Sequence, residues 1–105
     1  MTVKIAESVA ELGFDQRQVV RVRAGNRWIS VARVGEQLFA FADTCPHAGA
    51  CLSDGWMDAL GNIVCPLHRY KFDVKTGRNV SGEGYFLRHW PIEECEAGLF
   101  IRFPD

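Results

Sequence analysis

Two short stretches of this chain set a thiol beside an imidazole: Cys45-Pro46-His47 and Cys65-Pro66-Leu67-His68, with seventeen residues between His47 and Cys65. A cysteine–histidine catalytic dyad is one reading, but such dyads are normally assembled from distant parts of a chain and need one copy of each group. Here both groups are duplicated, which suits metal binding. Two thiolates and two imidazoles could hold one tetrahedral zinc, although zinc spacing usually keeps cysteine with cysteine and histidine with histidine. Mixed loops suit two metals held side by side, one taking both thiolates and the other both imidazoles. The single-residue gap between Cys45 and His47 favours this, because alternate side chains tend to point in different directions.

No residue is expected to be catalytic. Cys51 and Cys95 have no histidine beside them and are expected as small buried apolar residues. His89 lies in a predicted strand without a cysteine partner and is expected to be structural.

The elements that must carry the two loops are short. Ser8 and Glu11 fit a capping box, and Gly13 stops any helix after a turn or two. Thereafter the pattern is β: Gln18–Val22, a turn at Arg23-Ala24-Gly25-Asn26, then Trp28–Val34 and Gln37–Ala42 around a tight hairpin at Gly35-Glu36. Ile63-Val64-Cys65 follows the turn at Leu60-Gly61-Asn62. Tyr70–Lys75 alternates apolar with charged residues, the signature of a half-buried strand. Thr76-Gly77-Arg78 closes that hairpin, and Phe86–Ile92 with Leu99–Phe103 is expected as a last antiparallel pair. Trp56 is expected in the core.

The 105 residues allow one domain, 1–105, with the ligand loops at about 44–50 and 64–70. Basic and acidic residues are interspersed and sum to −1, without the basic stripe of a nucleic-acid protein or a polybasic membrane segment. The expected partners are therefore proteins or small molecules, not nucleic acid or membrane. No run of eighteen apolar residues and no secretory signal are seen, so a cytoplasmic protein is expected. Four cysteines in such a chain point to metal or redox chemistry before disulfides.

The pattern C-x-H-x17-C-x2-H, formed by Cys45, His47, Cys65 and His68, resembles the Rieske [2Fe–2S] motif, in which two histidines replace two cysteines on one iron. The resemblance continues through Phe72-Asp73, Thr76-Gly77 and the closing hairpin, and is similar in size to Rieske-type ferredoxins of ring-hydroxylating oxygenases and to the small subunit of nitrite reductase. It implies an all-β Rieske-like fold, an antiparallel sandwich or barrel base with an inserted cluster-binding subdomain. It also implies one [2Fe–2S] cluster as cofactor, with Cys45 and Cys65 on an outer, ferric-retaining iron and His47 and His68 on the iron that is reduced. The function it implies is one-electron transfer between redox proteins, a reductase on one side and a terminal oxygenase or reductase on the other; the alternatives are a small subunit of a nitrite-reductase-like complex and a zinc-stabilised binding module. With no G-x-G-x-x-G and no additional ligand set, no substrate chemistry of its own is expected.

Further expectations follow from that resemblance. With two thiolates and two neutral imidazoles the oxidised site is neutral, so accepting an electron costs less than at an all-cysteine cluster. Respiratory members tie the loops with a disulfide, but Leu67 and the position of Cys51 leave no partner, so none is expected. They also place a serine hydroxyl where this chain has Tyr70, whose phenol is expected to point away from the cluster. Fewer hydrogen bonds to sulfur place the potential in the lower part of the family range of about −150 to +300 mV. The amides of Ala48, Gly49, Leu67 and Arg69 are expected to support the sulfurs, Ser81–Tyr85 to cover the cluster, and Pro46, Ala48, Leu67 and Arg69 to form a small contact patch. Electron uptake coupled to proton uptake by the imidazoles predicts a potential that falls at alkaline pH.

Overall fold

The computed structural model describes residues 1–47, 49–82 and 84–104. Ten short strands make three antiparallel sheets. The first joins β1 (Thr2–Ala6), β10 (Gly98–Arg102) and β9 (Ile92–Cys95) in that order. The second orders β2 (Val19–Ala24), β3 (Arg27–Val34), β4 (Gln37–Ala42) and β8 (His89–Trp90). The third orders β5 (Trp56–Met57), β6 (Asn62–Val64) and β7 (Lys71–Asp73). Two 3-10 turns, Ala10–Leu12 and Leu52–Asp54, are the helical elements among the described residues. None is long and apolar enough to cross a membrane.

The hairpins form where turn chemistry asks for them. Ala24 pairs Arg27 across Gly25-Asn26, and Val34 pairs Gln37 across Gly35-Glu36, both two-residue connections opened by a positive-φ glycine. Ser8 Oγ accepts the Glu11 N–H at 3.3 Å, and the Glu11 carboxylate returns to the Glu7 N–H at 3.1 Å. The capping box thus reaches one residue further back than its usual form.

The second sheet is buried on both faces. Ile29, Val31 and Ala40 turn towards Trp90, Ile101 and Phe103, the core shared with the first sheet. Ala32 and Phe41 turn the other way, with Val19, onto Leu52, Ile63, Phe72 and the two motif cysteines. Burial on both faces explains why Ile29-Ser30-Val31-Ala32 is fully enclosed despite the alternation of a strand. The third sheet and the motif loops enter the chain between β4 and β8, which pair at Ala40–Trp90 and Phe41–His89. The site is thus an insertion on a base that closes behind it.

The expected pairing of Phe86–Ile92 with Leu99–Phe103 is corrected. Only His89–Trp90 is a strand there, and it joins β4; Pro91 then intervenes and Ile92–Cys95 pairs with β10. Proline has no N–H to extend a ladder, so the chain changes sheets at that residue. Phe86 is left 71% exposed. Trp56 is not in the core either: on the edge strand β5 its neighbour Met57 packs inward, and Trp56 faces out. His89 lies in a strand, with its side chain exposed.

Candidate metal centre

Each motif pair sits at the tip of a hairpin-like loop. In the first, Thr44 and Cys51 bridge as an antiparallel pair, the Cys45 N–H donates to Ala50 O at 2.8 Å, and the Gly49 N–H donates to Cys45 O at 2.9 Å. Gly49 has φ +73°, the left-handed backbone that this reversal needs. In the second, the β6–β7 ladder is closed by the Cys65 N–H donating to Tyr70 O at 2.8 Å. His68 (φ 65°) and Arg69 (φ 58°) are then both left-handed although neither is glycine. Such a conformation costs roughly 1–2 kcal/mol per residue and persists where the surroundings impose it, commonly at functional sites.

The first loop is anchored by a residue that sequence reasoning did not single out. Asp43 is buried, and its carboxylate accepts the Ser30 hydroxyl at 2.8 Å and the Ser53 N–H at 3.0 Å, with Arg21 Nε at 3.2 Å. Its carbonyl accepts the Leu52 N–H. Burial opposes ionisation, but hydrogen bonds from Ser53 and Ser30 and the Arg21 charge outweigh it and hold the carboxyl below its usual value. The Asp43 charge in turn pushes the Cys51 thiol up. One carboxylate thus ties β2, β3 and the Leu52–Asp54 turn to the root of the loop. An aspartate just before Thr44-Cys45 is the only sequence signal for it.

The motif side chains pair like with like, Cys45 beside Cys65 and His47 beside His68. Cys45 and Cys65 are buried, 1% and 0% exposed, as neighbours in one core cluster. Burial, with the neighbouring Cys45 thiol, pushes the Cys65 thiol up to about 11, although the Leu67 N–H donated to its sulfur acts the other way. A thiol enclosed like that of Cys65 resists ionising unless a cation lies beside it. The His47 and His68 rings stand 5.4 Å apart between centroids, inclined at 64°. His47 Nδ1 is buried and has no hydrogen-bond partner. An unsatisfied buried polar atom costs about 1–3 kcal/mol, so this nitrogen is a lone-pair donor in want of an acceptor. Among the described residues no three His, Cys, Asp or Glu side chains gather around one point. A two-metal group with sulfur on one side and imidazole on the other fits this arrangement better than a single tetrahedral ion.

Burial also orders the pairs. The thiols are interior, His47 is half-buried and His68 is exposed, so a metal on the cysteines would be the inner one, the reverse of the expected outer position. Pro46, Leu67 and Arg69 are exposed at the tip beside them. Tyr70 departs from expectation most. Its ring lies flat on His47, 3.5 Å between centroids and inclined by 14°. Strand β7 begins only at Lys71, so the alternation that would have turned this phenol away does not yet apply. Tyr85, from the third loop, meets His47 edge-on at 5.7 Å. Ser81 Oγ fastens that loop by accepting the Lys71 N–H at 2.9 Å. Ala48 and Glu83, expected in the amide cradle and the covering loop, lie outside the described residues. The Gly49 amide serves the loop backbone and not a sulfur.

Cys45, Cys51, Cys65 and Cys95 are not joined by a disulfide. Cys51 is half-buried and Cys95 exposed in the β9–β10 hairpin, so neither is the buried apolar residue expected. Cys51 faces a carboxylate, and the hairpin end offers Cys95 no core to enter.

A Rieske [2Fe–2S] domain family model matches residues 3–85. The chain belongs to the Rieske [2Fe–2S] domain family. The Rieske domain carries one Rieske-type [2Fe–2S] cluster, and its strands form the all-β fold expected from the resemblance. The chain is 44% identical over 54 residues to the anthranilate 1,2-dioxygenase ferredoxin subunit of Burkholderia cepacia, a match spanning 51% of this chain and 49% of that one. It is 35% identical over 78 residues to the ferredoxin component of the naphthalene 1,2-dioxygenase system of Pseudomonas putida, covering 74% of each. Among solved structures it is similar to a chain in the complex of reduced oxygenase and oxidized ferredoxin in carbazole 1,9a-dioxygenase. That similarity has a TM-score of 0.79 at 31% identity and covers 95% of this chain and 100% of that one.

Proposed function

We propose that this Rieske protein is an electron carrier, a single domain over residues 1–105, in which Cys45, Cys65, His47 and His68 hold the cluster. The bound cluster supplies storage of one electron. The observation that carries the reading is the segregation of donors: two neighbouring thiols in the interior, and two imidazoles side by side, one with a buried, partnerless Nδ1. The buried cysteines keep water from the sulfur side. The exposed His68 edge offers a short path to a docked protein, and the Leu67 amide stabilises negative charge on the Cys65 sulfur.

The partner we infer is the terminal oxygenase of a ring-hydroxylating dioxygenase, with a reductase as electron source, working in the cytoplasm. The supporting facts are the ferredoxin components among its relatives and the ferredoxin–oxygenase complex among similar structures. Exposed Pro46, Leu67 and Arg69 around the histidines make a small contact patch, suited to an encounter that must dissociate quickly. Stopped-flow mixing of the reduced protein with such an oxidised oxygenase tests the assignment. The expected result is rapid reoxidation with one electron passed per chain. Failure to reduce any oxygenase of this class would overturn the partner assignment.

A further inference from the structure

The two histidines are not held alike. His68 is exposed at a left-handed backbone position. His47 is half-buried and surrounded by rings: Tyr70 stacked on its face at 3.5 Å, Tyr85 edge-on at 5.7 Å, and the two tyrosines 6.3 Å from each other. Tyr70 comes from the end of the second loop and Tyr85 from the third loop, so the ring that turns on the first loop is gripped by both others. We propose that Tyr70 and Tyr85 form an aromatic clamp that fixes the plane of the His47 imidazole. They are positioning residues for one ligand of the pair, and this assignment rests on the reading of His47 as a cluster ligand.

The physical case is simple. An imidazole bound through Nδ1 keeps one soft freedom, rotation about the ligating bond, and a ring 3.5 Å from its face at 14° leaves little room for that rotation. Tyr85, 5.7 Å from His47 and 6.3 Å from Tyr70, stands beside the rim of the imidazole and stops movement from another side. His68 has His47 as its ring neighbour at 5.4 Å. The clamp therefore makes the two imidazoles inequivalent in orientation and mobility. The stacking needs an aromatic ring at position 70, not a hydroxyl.

The chain has two tyrosines, Tyr70 and Tyr85, and this makes the test selective. Holoprotein grown with ring-deuterated tyrosine and then reduced should show deuterium couplings to the cluster spin in pulsed EPR. Tyr70→Phe, with unlabelled phenylalanine, should at least halve the deuterium modulation while leaving the g-values and the imidazole nitrogen couplings unchanged. Tyr70→Leu should broaden the g-values and one of the two nitrogen couplings and speed cluster bleaching about fivefold, the factor that one aromatic contact corresponds to. If Tyr70→Leu loses the cluster on preparation, Tyr85→Leu is measured instead, with the same broadening expected to a lesser degree. Labelled wild type without deuterium modulation, or a leucine variant with unaltered spectra, overturns the clamp while the cluster signal itself stands. A Tyr70→Phe variant that behaves like leucine also overturns it, by assigning the effect to the hydroxyl. Wild type without any cluster signal overturns the ligand reading and the clamp together.

Discussion

Replacing Asp43 should disable the first cluster loop without touching a ligand. Its carboxylate receives the Ser53 N–H and the Ser30 hydroxyl, and both donors are buried. In Asp43→Ala each loses its acceptor, at about 1–3 kcal/mol apiece. The Arg21 pair adds little, because its guanidinium is 45% exposed and such pairs are worth at most about 1 kcal/mol. Since donors sharing one acceptor are not additive, the expected loss is about 3 kcal/mol. Asp43→Asn keeps an acceptor but loses the charge, for about 1–2 kcal/mol. The sign with pH follows from the lowered carboxyl. Its stabilisation is fully present above the unfolded value of 3.8 and is lost as pH falls through the lower folded value. Denaturant titrations of both variants and wild type, from neutral pH down through the carboxylate range, should show the largest differences at neutral pH and convergence in acid. Iron should be lost from Asp43→Ala faster than from wild type. A stable Asp43→Ala at neutral pH, or an acid limb unchanged in Asp43→Asn, would refute the anchoring role.

Other perturbations test the remaining joints. Phe72 is fully buried against the motif cysteines, so Phe72→Ala should cost about 3–5 kcal/mol in denaturant titration and release iron readily. At Gly77, with φ +77°, an added Cβ would lie 2.2 Å from Leu87 O, where the Gly77 carbonyl also accepts the Leu87 N–H at 2.8 Å. Gly77→Ala should therefore lose roughly 2–3 kcal/mol and unseat the loop that bears Tyr85. Voltammetry should give a potential in the lower part of the range of about −150 to +300 mV. A value near the top of that range would contradict the expectation of few hydrogen bonds to sulfur.

Sequence alone shows the hairpins well, because Gly25-Asn26 and Gly35-Glu36 dictate their turns locally and the β-branched runs beside them have one outlet. The four motif residues also stand out in it, by their types and their spacing. What it hides is decided at a distance. Pro91 marks a break, but which sheet receives each side of it depends on β4 and β10, far away in the chain. Trp56 looks like core until the edge position of β5 is known. Tyr70 falls on the wrong side of a strand boundary by one residue, enough to reverse where its ring points. Asp43 has no motif at all: its partners Ser30 and Ser53 are ordinary residues until folding buries them together.

The account is tested most directly by metal analysis of protein isolated without oxygen, combined with EPR of the reduced form. About two iron and two acid-labile sulfide per chain are predicted, with a spectrum whose average g lies below the free-electron value and two imidazole nitrogens coupled to the spin. A single zinc per chain, or iron with no nitrogen coupling, would contradict the central claim that two buried thiolates and two outward imidazoles share one cluster.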